Sequence, residues 1–284
     1  MICPVCSSKM QWCFDGRILL KYQISYFRCK ECGLIKTEEP FWLSEAYNTP
    51  IADLDVGYVS RNLLNASRVE RVLNQYDEAD NTYLDYAAGY GLFVRLMRDR
   101  GFDFYGYDKY CPSIFASDFV IDISKANSNF AAITAFEVLE HLLDPVHEVA
   151  KLMSKSDVLF TSTEVLPSSR ISSVQDWWYF LPETGQHVTF WTTEALTRLA
   201  AGFGCRHYSY NNEFHLISRR AFDNDPLRVL RKKNKLSRLW GNIARLSGAK
   251  AKRNIRPSLL QRDFEILRAR RNRQSTYPHV EEWE

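Results

Sequence analysis

No stretch of apolar residues in this 284-residue chain is long enough to cross a bilayer, which excludes a membrane-spanning helix as its organising element. It also lacks internal repeats and low-complexity tracts, so neither a solenoid nor a disordered polymer fits. No secretory leader precedes the first cysteine at position 3, and the expected setting is therefore the reducing cytoplasm. What is present is globular in composition, with 45% hydrophobic and 25% charged residues, and the length suits one principal domain with appendages. The net charge of +3 hides an asymmetry: from Pro226 onward 16 Lys and Arg face 5 Asp and Glu, giving a tail of +11 and a preceding body of −8.

The most informative stretch runs from Tyr83 to Asp108, YLDYAAGYGLFVRLMRDRGFDFYGYD. It reads as a buried strand into Asp85, a turn through Gly89 and Gly91, a helix with Leu92, Phe93, Leu96 and Met97 on one face, and a strand ending at Asp108. That order makes a nucleotide-cofactor site, with a strand-end carboxylate placed to accept hydrogen bonds from ribose hydroxyls. Charge then selects the cofactor. Asp85 would repel the pyrophosphate of a dinucleotide, and Val94 stands where G-x-G-x-x-G needs its third glycine. S-adenosylmethionine, with its sulfonium and ammonium groups, is attracted by the same carboxylate.

Leu84 to Gly91, LDYAAGYG, resembles the first motif of class I S-adenosylmethionine-dependent methyltransferases, with Ala87 where that family commonly has its first glycine. Phe130 to Pro145, FAAITAFEVLEHLLDP, is similar to the family's fourth strand and its E-x-x-E-H-x-x-D-P segment. GQHVTFWTTEAL, from Gly185 to Leu196, resembles a later segment that precedes a helix. The resemblance implies an α/β, Rossmann-like sheet of seven strands with helices on both faces and its last strand antiparallel. It also implies a cofactor site drawn from Asp85, Ala87, Gly89, Gly91, Asp108, Lys109 and Phe136. Strands are expected near 83, 104, 132, 159, 207 and 216, helices near 93, 148 and 196, and a closing hairpin turns at Asn211 and Asn212.

Cys3-Pro-Val-Cys6 and Cys29-Lys-Glu-Cys32 form two C-x2-C knuckles separated by 22 residues, a spacing that supplies four thiolates to a structural zinc ion. The aromatic and apolar residues between them, among them Trp12, Phe14, Ile24 and Tyr26, predict a short hairpin. A segment this small gains its folding free energy from the metal. Cys13, Cys111 and Cys205 read as buried or unpaired thiols. The chain thus divides into a zinc ribbon (1–40), a linker and leading helix (41–79), the catalytic domain (80–220) and a basic helical tail (221–284). In the linker, DVGYVSRN from Asp55 to Asn62 is an unusual composition, and apolar spacing predicts a helix over Ser60–Tyr76.

Methyl transfer to a hydroxyl gains most from a positioned base. His187, on a loop expected to be exposed and to roof the pocket, and His141, just past the fourth strand, are the candidates, alongside Glu137 facing the acceptor. Each histidine has an alternative role as a brace. The loop from Glu164 to Trp191 holds Trp177, Trp178, Tyr179 and Phe180, whose rings stack on sugars or bases, or pack as a lid. The residues Ala135-Phe136-Glu137-Val138 depart from the pattern of enzymes that methylate base nitrogens. The ribbon and the two later segments together resemble methyltransferases of surface polysaccharides and nucleotide sugars. The expected acceptor is accordingly a sugar, nucleotide sugar or glycan hydroxyl.

Two alternatives stand beside this reading. One is an RNA-binding or RNA-modifying protein that uses ribbon and tail, and the other a cofactor-binding scaffold without catalysis. In the tail, Leu236, Leu239, Trp240, Ile243 and Leu246 share a helical face among Lys233, Lys235, Arg238 and Arg245. That helix docks on the acidic body, on an anionic membrane or on a partner. RDFEILRARRNR, from Arg262 to Arg273, leaves the same choice.

Overall fold

Strands whose residues are apolar in both directions must be covered on both faces, and the computed structural model shows how this chain covers them. It describes residues 1–47, 54–76, 81–123, 129–231 and 256–274. The elements in chain order are β1 (Met10–Ile18), β2 (Tyr22–Cys29), β3 (Ile35–Thr37), α1 (Leu43–Ala46), α2 (Tyr58–Tyr76), β4 (Thr82–Tyr86), α3 (Leu92–Asp99) and β5 (Asp103–Tyr107). They continue as β6 (Ala132–Phe136), α4 (Pro145–Met153), β7 (Val158–Ser162), β8 (Thr189–Phe190), α5 (Thr193–Gly202), β9 (Arg206–Tyr210), β10 (Phe214–Ser218), α6 (Arg228–Arg231) and α7 (Leu260–Gln274).

The main sheet has the order β5-β4-β6-β7-β10-β9. Its first four strands are parallel, and β10 runs antiparallel to both neighbours. Successive residues send side chains to opposite faces. Tyr83, Ala132, Phe160 and Leu216 pack under α2 and α3, whereas Leu84, Ile133, Leu159 and Ile217 pack under α4 and α5. Each fully buried large side chain contributes roughly 1.5–3 kcal/mol, so the two layers together fix the register. Asp144 caps α4 by accepting from His147 N at 3.0 Å, with Pro145 in the first turn, and Thr192 caps α5 by accepting from Ala195 N at 2.9 Å. In the β9–β10 turn Asn211 and Asn212 both have left-handed φ, 53° and 59°, as asparagine tolerates.

The sheet has six strands among the described residues, and this corrects the expectation of seven. Beyond β5 the chain makes one parallel bridge, Gly106 to Val120, instead of a ladder. The preceding turn drives Phe119 and Ala116 into the core beneath α3, so that segment is held by side-chain packing rather than strand pairing.

The N-terminal hairpin β1–β2 continues through β3 into β8, forming a second sheet of order β1-β2-β3-β8. The core of this sheet is shared with the long loop before β8. Phe14 stacks on Tyr26 at 4.7 Å, and Phe180 meets both edge-on at 5.6 and 5.5 Å. Trp177, Tyr179 and Phe180 are therefore core residues, and of the four loop aromatics only Trp178, 63% exposed, remains on the surface.

The amphipathic run Leu236–Leu246 lies outside the described residues. The second basic run forms α7 and docks on the body through its one early acidic residue. Arg98, fully buried on α3, donates from Nε and Nη2 to Asp263 at 2.9 and 2.7 Å and from Nη1 to the Phe104 carbonyl at 2.8 Å, with its guanidinium 3.7 Å from the Phe119 ring centre. Arg262 and Arg270 pair with Asp103 and Asp118 of the body. Replacing Asp263 by Asn should cost about 2 kcal/mol, because the buried Arg98 guanidinium loses one of its two carboxylate partners and keeps only Asp103. It should also open α7 to trypsin; unchanged melting and unchanged protease resistance would contradict this docking.

Candidate active site

The parallel strands open a crevice at their carboxyl ends where the strand order reverses, between β4, which leads to β5, and β6 on its other side. Two residues directly after these strands take left-handed φ despite carrying side chains, Ala87 at 55° and Glu137 at 53°. Each costs of order 1 kcal/mol and turns the chain sharply away from the sheet. Gly89 and Gly91 follow with φ of 53° and 80°, and Gly91 opens α3. A Cβ at Gly91 would lie 2.2 Å from Ser113 Oγ, so only glycine lets the two loops close here.

Asp85, buried at 4% exposure beneath this turn, accepts from Thr134 Oγ1 at 2.6 Å. Burial pushes its carboxyl up to about 7, against the Thr134 hydrogen bond and with help from the charge of Asp108. Among the described residues no cationic side chain pairs with it, and a bound cation would favour its ionised form. Asp108 is oriented by three backbone donors: Gly89 N to Oδ2 at 2.9 Å, and Tyr110 N and Cys111 N to Oδ1 at 2.8 Å each. A carboxylate offers about four acceptor directions, so one remains for a ligand. Lys109 is exposed with its ammonium 5.0 Å from the Tyr110 ring centre. Phe136 packs between Phe93 and Phe214, at 5.0 and 5.9 Å, at the carboxyl end of β6.

Above β6 lies a connected polar group. Ser162 Oγ donates to Glu137 Oε1 at 2.6 Å, and Tyr179 donates to Glu137 Oε2 at 3.2 Å and also to Glu140 Oε1. Glu140 is fully buried, its Oε2 takes no hydrogen bond, and burial followed by the charge of Glu137 raises it to about 8. His141 and His187 meet edge to face at 4.8 Å. Burial lowers His141 to about 3, aided by His187, and lowers His187 to about 4. Both rings are neutral at pH 7 and accept protons weakly. His187 was expected on an exposed loop; it is 8% exposed, because Tyr179 and Val188 carry it into the shared aromatic core.

Residues from the linker, which the sequence marked only as an odd composition, complete this wall. Arg61 makes a two-pronged ion pair with Asp55 at 2.7 and 2.8 Å and approaches Glu137 at 3.9 Å. Tyr58, whose buried hydroxyl has no partner among the described residues, meets Tyr90 of the glycine turn at 6.3 Å. Tyr47 reaches His141 Nδ1 at 2.9 Å.

Cys3, Cys6, Cys29 and Cys32 converge at the other end of the second sheet, with sulfur atoms within 4.8 Å of one another. Cys3–Cys32, Cys6–Cys29 and Cys6–Cys32 are 3.6, 3.4 and 3.8 Å apart. Four thiolates held tetrahedrally at about 2.3 Å from one ion would be separated by about 3.8 Å, close to the three distances above, so the donor set fits a zinc ion. Cys13, Cys111 and Cys205 are free thiols away from this group.

The Asp85 geometry gives a pH dependence. Its folded value lies above the ordinary 3.8, so the native state retains a proton that the unfolded chain releases, and stability falls as pH rises from about 4 to about 7. Asp85→Asn should remove that fall, gaining on the order of 2–4 kcal/mol at pH 8 and little at pH 4. Melting curves across this range test it; a variant less stable at pH 8 would contradict the burial argument.

A family model described as a methyltransferase domain matches residues 59–210, more than half of the chain. No curated protein matches the sequence. Among solved structures, magnesium protoporphyrin IX methyltransferase from Synechocystis PCC 6803 with bound SAH shares 11% identity over 64% of this chain and 96% of that one, at a TM-score of 0.43. Mitomycin 7-O-methyltransferase shares 13% over 63% and 60%, also at 0.43. An O-methyltransferase family protein from Burkholderia thailandensis shares 13% over 64% and 68%, at 0.42. The matched span begins in α2, takes in the glycine turn, both crevice carboxylates and the wall above β6, and ends with β9, and on that match the chain belongs to the methyltransferase family, as a class I S-adenosylmethionine-dependent enzyme.

Proposed function

We propose that the enzyme methylates a hydroxyl of a sugar, nucleotide sugar or glycan, with the crevice between β4 and β6 as its cofactor site. The observation that carries the cofactor assignment is Asp85, a buried carboxylate in need of a cation directly beneath a glycine turn. Bound there, S-adenosylmethionine supplies a methyl group on a positively charged sulfur. Asp85 would attract the cationic end. Ala87, Gly89 and Gly91 would let the backbone come close, and Asp108 would accept from ribose with its remaining lone pair, Lys109 standing at the rim. Phe136 would support the cofactor from below.

The acceptor reading is supported by the wall above β6. Glu137, Ser162, Tyr179 and the two histidines offer a dense set of donors and acceptors suited to a polyhydroxylated ligand, and Trp178 offers an exposed ring at its edge. Neutral His187 and His141 and the carboxylate of Glu137 would orient the acceptor hydroxyl and receive its hydrogen bond. Against the alternative RNA-binding role, Arg262 and Arg270 of α7 pair with carboxylates of the body.

The four cysteines are proposed to hold one zinc ion in a closed, structural site, in the cytoplasm. Its role is to brace the acceptor wall. Lys36 of β3 donates to the Leu143 carbonyl at 2.6 Å, Thr189 of β8 donates to Leu142 O at 2.9 Å, and Thr192 donates to Cys32 O at 2.5 Å.

Asp108→Ala should weaken binding of S-adenosylhomocysteine more than tenfold, the loss expected for charge-assisted hydrogen bonds. Unchanged affinity by calorimetry would overturn the site. Methyl transfer to a panel of nucleotide sugars and glycans tests the acceptor, and turnover confined to RNA would overturn that class. Cys29→Ser with Cys32→Ser should abolish turnover while leaving the affinity for S-adenosylhomocysteine within about threefold, since the crevice lies on the main sheet. Equal loss of both would contradict a bracing role.

A further inference from the structure

We propose that Glu140, His141 and His187 form a second metal site, for a first-row divalent transition-metal ion, on the acceptor side of the crevice. A nitrogen from each ring and an oxygen of Glu140 lie within 4.8 Å of one another. Ligands of a single ion at 2.0–2.2 Å are separated by roughly 2.9–4.3 Å, so small side-chain rotations bring the three into range.

The hydrogen bonds around the cluster leave the right atoms open. His187 Nδ1 lies 2.8 Å from the Tyr179 carbonyl and His141 Nδ1 lies 3.1 Å from the Gln186 carbonyl. A carbonyl oxygen can only accept, so His187 carries its proton on Nδ1 and keeps its lone pair at Nε2, and His141 takes the same tautomer when its Nδ1 donates to the Gln186 carbonyl and to Tyr47 instead of accepting from the Tyr47 hydroxyl. Metal-binding histidines are held in this way, by a backbone carbonyl that fixes tautomer and ring plane. Tyr47 adds its hydroxyl oxygen at 2.9 Å from the same His141 nitrogen. Glu140 Oε1 is held by the Tyr179 hydroxyl, and Oε2 is buried with no partner within hydrogen-bond distance among the described residues. The Thr163 hydroxyl, buried beside Glu140 and Tyr179, is the donor that a metal ion would have to displace.

Two neutral imidazoles and one carboxylate select ions such as Mn²⁺, Fe²⁺, Co²⁺ or Zn²⁺ over Mg²⁺ or Ca²⁺, which prefer all-oxygen sites. Arg61, which lies 3.9 Å from Glu137 on this wall, is also paired with Asp55. Three protein ligands also leave positions open. Resting on the proposed acceptor class, one of these would take an acceptor hydroxyl and acidify it, its proton leaving to water.

The test uses full-length protein with its ribbon zinc retained, titrated with Mn²⁺ and followed by the electron paramagnetic resonance signal of the free ion, and with Co²⁺ followed by visible absorption. The expected result is one additional ion per chain, with weak nitrogen–oxygen cobalt bands and without intense thiolate charge transfer. Glu140→Gln and His187→Ala should each weaken Mn²⁺ binding at least tenfold, whereas His147→Ala, an exposed histidine on α4, should leave it unchanged. Absence of a saturable second ion in the wild-type protein overturns the proposal, as does unchanged affinity in Glu140→Gln, whose shape is preserved. Calorimetry with S-adenosylhomocysteine alone, run in parallel, separates failure of this site from failure of the methyltransferase reading.

Discussion

The loop that carries His187 has no sheet of its own, and its position depends on the pairing of β8 with β3, Thr189 opposite Lys36 and Phe190 opposite Ile35. Through those few residues the cysteine-bearing hairpin reaches the wall of the active site. Val188 N donates to the Glu140 carbonyl at 2.9 Å, Lys36 and Thr189 hold the carbonyls of Leu143 and Leu142, and the aromatic core behind them closes on Phe14 and Tyr26. The hairpin alone buries too little to be independent, and the loop alone would have unpaired backbone. Each supplies what the other lacks.

Beneath that wall, the crevice follows from sheet topology. Where β4 and β6 diverge to different neighbours, the chain has to leave the sheet abruptly, and both exits use left-handed residues, Ala87 and Glu137. Strain at these positions is offset by Gly89 N donating to Asp108 and by Glu137 N donating to Ser162 Oγ at 3.0 Å. The same bonds orient the carboxylates. Fold and site are therefore one solution, in which the turns that open the crevice also aim its charged groups.

Much of this was legible from residue order. The twofold alternation of strands such as Tyr83-Leu84, the glycine turn, the Asn211-Asn212 hairpin and the C-x2-C spacing are local signals, and local geometry kept them. The helix read as Ser60–Tyr76 begins two residues earlier, at Tyr58. What the sequence concealed was non-local. Trp177, Tyr179 and Phe180 read as a stacking surface or a lid, and nothing in the chain says that Phe14 and Tyr26 will join them in one core. That only six strands pair among the described residues could not be seen either, since the burial of Phe119 and the single bridge from Gly106 to Val120 are settled by tertiary packing. The docking of α7 rests on one Asp in a basic run, a signal visible only once Arg98 is known to be buried. Asp55 and Arg61 were noticed for their composition, but their partner, Glu137, lies far along the chain.

The central claim is that one cofactor crevice and one closed sulfur site coexist in a single folded unit. Native mass spectrometry of freshly purified protein titrated with S-adenosylhomocysteine, compared with the denatured mass, measures both at once. The account predicts a zinc ion retained on the folded chain and saturable binding of one S-adenosylhomocysteine. A folded chain that keeps zinc and binds no S-adenosylhomocysteine would contradict it.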